Sequence, residues 1–303
     1  MPECKYGKLD NLKQKIEEEK AYWDGKILDG IIPDIRKQIK EKEVNFIWDD
    51  PKIEMILRKK ERDTIIEQAS KHKGGRILEI GCGVGWLSLE LARAGMNVIG
   101  IDLSSTKIAV ARDYYNRIKK EEKFSGSIEY IVDSIHNVDF PASSFDAIVA
   151  WDSLHHIPDI PRLIKKIELW LKDNGDFMVC EHMGSNFLNR FIVITIYMLP
   201  VIDKAKILKK ILKKIWTPDV VKRAPLDGIT RWEMKREIKK NFKDVNYRTL
   251  LAFCYYVAPF ISLKDNMRYR CLNFFKRLDD FLIKLNFLRG EYLFVQVKKL
   301  RKD

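Results

Sequence analysis

Cysteine is scarce and scattered in this chain. Five are present, Cys4, Cys82, Cys180, Cys254 and Cys271, and no two form a CxxC pair. That spacing supports neither a disulfide framework nor a zinc site, and it fits a reducing, cytoplasmic setting. Long apolar runs are missing as well. The longest, near Phe191 to Leu199, is roughly half of the ~20 residues a spanning helix needs. The opening residues carry Glu3, Lys5, Lys8 and Asp10 without an apolar stretch, so no secretory leader is expected. Histidine numbers only five, and no cluster has metal-ligand spacing, so no metal is expected.

What is present is an ordinary globular composition with an uneven charge. Of 303 residues 46% are apolar, enough for a sizeable core. Residues 1–200 hold 30 Lys+Arg against 32 Asp+Glu, a net −2, whereas residues 201–303 hold 26 against 11, a net +15. The basicity belongs to the last third. It points to an acidic partner, either nucleic acid or an anionic membrane surface, with a solvated lysine-rich face as the plain alternative.

Residues 1–72 read as a helical N-terminal extension. Leu9, Leu12 and Ile16, then Ile53, Ile56, Leu57, Ile65, Ile66 and Ala69, have helical spacing, and Pro51 marks a helix start. Tyr22-Trp23 and Phe46-Ile47-Trp48 are aromatic patches at helix boundaries, read as staples onto the core, with ligand contact over the cradle as the alternative. From 73 onward strands are expected at 76–81, 97–102, 128–133, 145–151 and 175–182, with helices near 85–95, 105–120 and 158–172 between them. That alternation predicts an α/β fold with a mostly parallel sheet covered by helices on both faces. A helix opening on a Thr230–Glu233 capping box, a strand at 245–251 and another at 291–297 complete it. Two interruptions, about 183–229 and 253–290, leave from the carboxyl ends of strands. Ligands bind at that edge, so the interruptions are expected to be lid insertions within a domain spanning 73–303.

The stretch Arg76 to Leu89 organises the rest. Its apolar run Ile77, Leu78, Ile80 stops at Gly81, Gly83 and Gly85, and a helical pattern follows. Bare backbone beside a helix N-terminus makes a nucleotide cradle. Trp86 stands where the dinucleotide fingerprint G-x-G-x-x-G needs its third glycine, which disfavours a dinucleotide oxidoreductase. Asp102 ends the next strand, where a carboxylate accepts hydrogen bonds from ribose hydroxyls, with helix capping as the structural alternative.

Ile77-Leu78-Glu79-Ile80-Gly81-Cys82-Gly83-Val84-Gly85 resembles motif I of the class I S-adenosylmethionine-dependent methyltransferases. So do Val98 to Ser104, the Asp133 strand end, Phe145 to Ala150 and Leu154-His155-His156-Ile157-Pro158-Asp159. The likeness covers roughly 70–182 and is closest to the branch acting on small molecules and quinone- or lipid-like substrates. It implies a Rossmann-like seven-stranded sheet and S-adenosyl-L-methionine as cofactor. It also implies that Glu79 and Gly81 lie under the methionine end, that Gly83 and Gly85 form the close turn, and that Asp102 holds the ribose. Leu103 would flank the adenine, with Asp133 and the Ser134 N–H addressing its ring. Trp151 would face the cofactor–acceptor junction, where an indole suits a sulfonium cation.

Methyl transfer to a hydroxyl needs alignment and a base at the sheet's carboxyl edge. His155 and His156 follow the fourth strand, and Glu181 and His182 close the fifth. His156 ranks first, by the resemblance; capping of the helix after Pro158 is the structural alternative for both histidines. In the first insertion Ile202, Ala205, Leu208, Leu212, Ile215 and Trp216 fall near one helical face among lysines at 204, 206, 209, 210, 213 and 214. In the second, Phe274, Phe275, Leu278, Phe281, Leu282 and Leu285 form a stripe. Basic amphipathic helices of this kind read as membrane-surface or lipid-binding elements, or as ordinary core against each other or a second subunit. The expected activity is transfer of a methyl group to a small, lipophilic or lipid-linked acceptor, by O- or N- rather than C-methylation. A peripheral place at the inner membrane face goes with it. RNA methylation by the basic last third and a non-catalytic cofactor-binding module are the alternatives. At the end of the fourth strand Ala150-Trp151-Asp152-Ser153 replaces the Asn/Asp-Pro-Pro-aromatic run of base-amino methylating enzymes.

Overall fold

A computed structural model of the chain describes residues 9–25, 51–183, 187–216 and 230–300. The expected aromatic patch at 46–48 lies outside them. Seven strands form one sheet in the order β3-β2-β1-β4-β5-β7-β6. They are β1 (Arg76–Ile80), β2 (Asn97–Asp102), β3 (Ser127–Val132), β4 (Phe145–Trp151), β5 (Leu171–His182), β6 (Asp244–Leu250) and β7 (Tyr292–Lys298). β1 to β5 pair in parallel, while β7 runs antiparallel to both β5 and β6. The carboxyl ends of β4, β5 and β6 and the start of β7 therefore share one edge.

Successive side chains of a strand point to opposite faces, and each face has its own cover. On one, Ile77, Val98, Val149 and Met178 meet α2 (Pro51–Ser70) and α3 (Trp86–Arg93) through Ile53, Leu57, Ile65, Leu87 and Leu91. On the other, Leu78, Ile80, Ile148 and Val179 meet α5 (Ile160–Trp170) and α8 (Arg231–Asn241). α5 buries Ile160, Leu163, Ile164, Ile167 and Trp170, a single apolar stripe of the spacing 3.6 residues per turn demands. α4 (Ser105–Glu121) closes a third cluster with Tyr130 of β3. The capping box of α8 forms as expected, with the Glu233 N–H donating to Thr230 Oγ1 at 3.2 Å and the Thr230 N–H to Glu233 Oε2 at 2.9 Å.

The first insertion contributes α6 (Phe187–Tyr197) and α7 (Lys204–Trp216). The second contributes α9 (Cys254–Val257), a 3-10 turn at Ala258–Phe260 and α10 (Asp265–Lys284). The insertions join each other: Ile202 and Ile261 form an antiparallel bridge, Asp203 N donates to Phe260 O and Ser262 N to Val201 O, both at 2.8 Å. Each predicted stripe is split between core and solvent. Phe275 is buried and Leu282 packs on the core, whereas Phe274, Leu278, Phe281 and Leu285 stand exposed. In α7 Ile207 packs inward, while Leu208 and Leu212 are exposed; the side chains of Ile215 and Trp216 lie outside the described residues. Among the described residues, no helix is long and apolar enough to cross a membrane.

Candidate active site

The loop after β1 is held by main chain. Gly81 and Cys82 donate their N–H groups to Ile101 O at 2.8 and 3.0 Å, and Gly83 donates to Asp102 Oδ2 at 2.8 Å. Gly85 has φ +79°, and a Cβ there would collide with the Tyr130 hydroxyl, so the position tolerates no side chain. Gly83 differs. Its φ is +55°, yet nothing stands within 4 Å of where its Cβ would be. At Gly83 the backbone faces open space.

Asp102 also accepts the Ser104 N–H, at 2.9 Å. It does not cap α4; Ser104 does, accepting from Lys107 N. A further carboxylate, Asp24 at the end of α1 (Leu9–Gly25), reinforces that helix start. It accepts from Ser104 Oγ at 2.7 Å and Thr106 N at 3.1 Å. Leu103, half-buried, lies between these two carboxylate-bound turns. Glu79 sits beneath the loop, 2% exposed, and accepts a hydrogen bond from Ser88 Oγ. Burial, with the Asp102 charge adding to it, pushes its carboxyl up to about 8. Asp133 accepts from Ser134 N at 2.6 Å and Asn137 Nδ2 at 2.8 Å, which fixes the turn after β3.

At the ends of β4 and β5, side chains take over. Glu181 is fully buried and binds three groups: Oε1 accepts the N–H of Ser153 (2.8 Å) and of Leu154 (2.7 Å), and Oε2 lies 2.6 Å from His155 Nδ1. It fastens the turn that carries both histidines. α5 is capped by Asp159, not by either of them. His156 turns toward α1, with Nδ1 3.2 Å from Glu19 Oε1, an ion-pair distance without hydrogen-bond geometry, and its ring 5.1 Å from that of Trp23. His182 stacks on Tyr255 at 4.9 Å and meets Tyr292 edge-on at 5.1 Å. Its Nε2 is buried without a hydrogen-bond partner, and burial holds the ring below the ordinary imidazole range, hence neutral at pH 7. Burial, with the Asp152 charge behind it, pushes the Tyr255 phenol up to about 12 and raises Tyr292 as well, so both remain protonated.

Trp151 closes β4 and meets Trp86 edge-on at 5.4 Å. Arg58 of α2 lies between the rings of Trp151 (4.8 Å) and Tyr292 (5.0 Å), and it pairs with Glu54 and Asp152. A guanidinium 4% exposed is tolerated there because two carboxylates and two π faces replace its water. Asp152 holds the strained φ of +47° that turns the chain back across the strand end. Sequence reasoning missed Arg58, Tyr255, Tyr292 and Glu19, and singled out Trp23 only as a boundary aromatic, as a staple or a ligand contact. Each comes from an element remote in sequence, and helical spacing gave no signal that its side chain would turn to this edge. Among the described residues, no group of His, Cys, Asp and Glu could hold a metal ion.

Residues 56–247 match the family model described as "Methyltransferase domain". A ubiquinone biosynthesis O-methyltransferase of Bradyrhizobium diazoefficiens is 33% identical over 114 residues, 38% of this chain and 42% of that protein. Phosphoethanolamine N-methyltransferase 1 of Arabidopsis thaliana is 30% identical over 121 residues, 40% of this chain and 23% of that protein. The match thus spans less than half the length of either relative. Among solved structures, geranyl diphosphate C-methyltransferase from Streptomyces coelicolor superposes with a TM-score of 0.55 at 14% identity, over 95% of this chain and 98% of that one. At that identity the likeness establishes the fold. With the family model covering well over half of the chain, the chain belongs to the methyltransferase-domain family, that of the class I S-adenosylmethionine-dependent methyltransferases.

Proposed function

We propose that the enzyme methylates a hydroxyl or amine of a small, lipophilic or lipid-linked acceptor at the shared edge of β4, β5 and β7. In this reading the domain begins near residue 73, α1 and α2 form the extension before it, and the two insertions are its lid. The observation that carries the reading is the His155–Glu181 pair at that edge, beside the aromatic wall of Trp151, Tyr255 and Tyr292. When bound, the cofactor supplies an activated methyl group for in-line displacement. The open backbone at Gly83 and the carboxylates of Asp102, Asp133 and Glu79, with Gly81, Gly85, Leu103 and Ser134, are the residues that fit it.

With Nδ1 committed to Glu181, any proton His155 takes from an acceptor hydroxyl passes through Nε2, and Glu181 stabilises the imidazolium that forms. His182 is neutral and stacked, suited to orienting an acceptor, while His156 is engaged by α1. The geometry therefore favours His155 over His156 as base. Tyr255 and Tyr292 offer phenolic donors in largely aromatic walls, with the buried Arg58–Asp152 pair behind Tyr292, and these walls exclude water from the reacting atoms. The cationic lid suits a location at an anionic membrane face within the cytoplasm.

The test is to incubate the full chain with methyl-labelled S-adenosylmethionine and a cell extract separated into lipids, glycans and RNA. Label is expected in the lipid fraction or in lipid-linked glycans. Label confined to RNA would transfer the assignment to the basic last third.

A further inference from the structure

Helix α6 turns much of its apolar surface outward. Val193 is buried and Ile192, Ile196 and Tyr197 pack on the core, but Phe187, Phe191, Ile194 and Met198, spaced four, three and four residues apart, are between 56% and 85% exposed. The helix is not loosely attached. Buried Asn189 donates to Arg289 O at 2.7 Å and to Glu291 Oε1 at 2.6 Å, and Tyr197 Oη donates to Tyr256 O at 3.1 Å. A firmly seated helix that leaves two phenylalanines, an isoleucine and a methionine in water has another surface to meet.

The charge around it selects that surface. From Met183 to Trp216 the chain carries seven Lys and Arg against the single acid Asp203. Lys204, Lys206 and Lys209 of α7 are exposed beside exposed Leu208 and Leu212. Two copies of such a segment would set cations against cations. An anionic lipid headgroup layer complements them, and the acyl region beneath accepts the apolar strip.

We propose that α6, with the start of α7, seats the enzyme on an anionic phospholipid surface. Phe187, Phe191, Ile194 and Met198 then lie below the headgroups. α6 starts five residues after His182 ends β5, so the strand edge carrying Glu181 and His182 opens close to the bilayer. A lipophilic acceptor passes from the membrane to that edge without crossing water. This rests on the acceptor class proposed above.

The test compares the full chain with the variant Phe187→Ser/Phe191→Ser/Ile194→Ser on phosphatidylcholine vesicles with and without phosphatidylglycerol. Wild type is expected to sediment with the phosphatidylglycerol vesicles, less so at high salt. The triple variant should lose about tenfold or more in partitioning, with unchanged melting temperature and S-adenosylmethionine affinity. The indole of F191W should be quenched by brominated lipids beyond the wild-type background. Equal partitioning of variant and wild type, or no added quenching, would overturn the proposal. So would a dimer that dissolves in the triple variant while neither form binds vesicles. Label transferred to lipids without vesicle binding defeats this inference alone, and vesicle binding with label only in water-soluble acceptors defeats the acceptor class alone.

Discussion

From Gly81 to Asp133 the edge of the sheet is shaped by peptide groups: consecutive N–H donors on Ile101 O, carboxylates that accept from nearby backbone, and a glycine that tolerates no Cβ. From Trp151 to Tyr292 the same edge is shaped by side chains drawn from α1, α2, β5, α9 and β7. The first region depends mostly on the main chain of neighbouring strands and on conformations that few residues adopt, with Asp24 of α1 adding a long-range carboxylate. The second depends on long-range packing, with Glu181 of β5 also fastening the turn after β4. Under the proposed function the contrast divides the work: main chain shapes the cofactor end and side chains shape the acceptor end.

The strongest way to break the comparison lies on the side-chain half. His155→Gln is expected to lower the rate of label transfer to the extracted lipids by about 10²–10⁴ while leaving cofactor affinity unchanged. His156→Gln should cost far less, because that ring serves contacts with Glu19 and Trp23. A larger loss from His156→Gln would return the base to the residue that the sequence motif ranks first.

On the main-chain half, two glycines separate folding from binding. Gly85→Ala must place a methyl group at φ +79° against Tyr130, and should destabilise the protein by about 2–4 kcal/mol in urea unfolding. Gly83→Ala has open space at φ +55° and should lose only about 1 kcal/mol of stability, yet weaken S-adenosylmethionine binding, because the methyl group fills the cradle. Undiminished calorimetric affinity in Gly83→Ala would remove this backbone from the cofactor site.

The same contrast governs what could be read in advance. β1, β2 and β4 were legible because short apolar runs end on glycine or aspartate, and α8 because Thr230 and Glu233 form a local capping box. The proposed cofactor residues follow from the motif resemblance, which places them in or just beyond the ends of β1 to β4. Arg58 was not legible: in sequence it is one basic residue among Arg58, Lys59 and Lys60, and its burial depends on Trp151 and Tyr292, ninety and more residues away. The insertions were legible as amphipathic, but periodicity does not say which half of a broad apolar face meets the core. Among the described side chains of α7, Ile207 packs inward, one position off the expected stripe.

Glu79 sharpens the boundary between the halves with the smallest expected effect. It is a side chain inside the main-chain region, and its carboxyl, raised to about 8 by burial and by Asp102, is mostly protonated at pH 7 in the free enzyme. A cation bound at the loop above it favours the ionised form. The sign follows from linkage: a group whose pKa falls on binding releases its proton, so affinity rises with pH until the free-state pKa is passed, then levels. Between about pH 7 and pH 9 S-adenosylmethionine should bind up to about tenfold more tightly, with a fractional proton released near pH 7. Calorimetry in two buffers of different ionisation enthalpy measures that release directly. Glu79→Gln should abolish both the release and the slope; a slope that persists in Glu79→Gln would assign the titration to another group and leave Glu79 as a structural partner of Ser88.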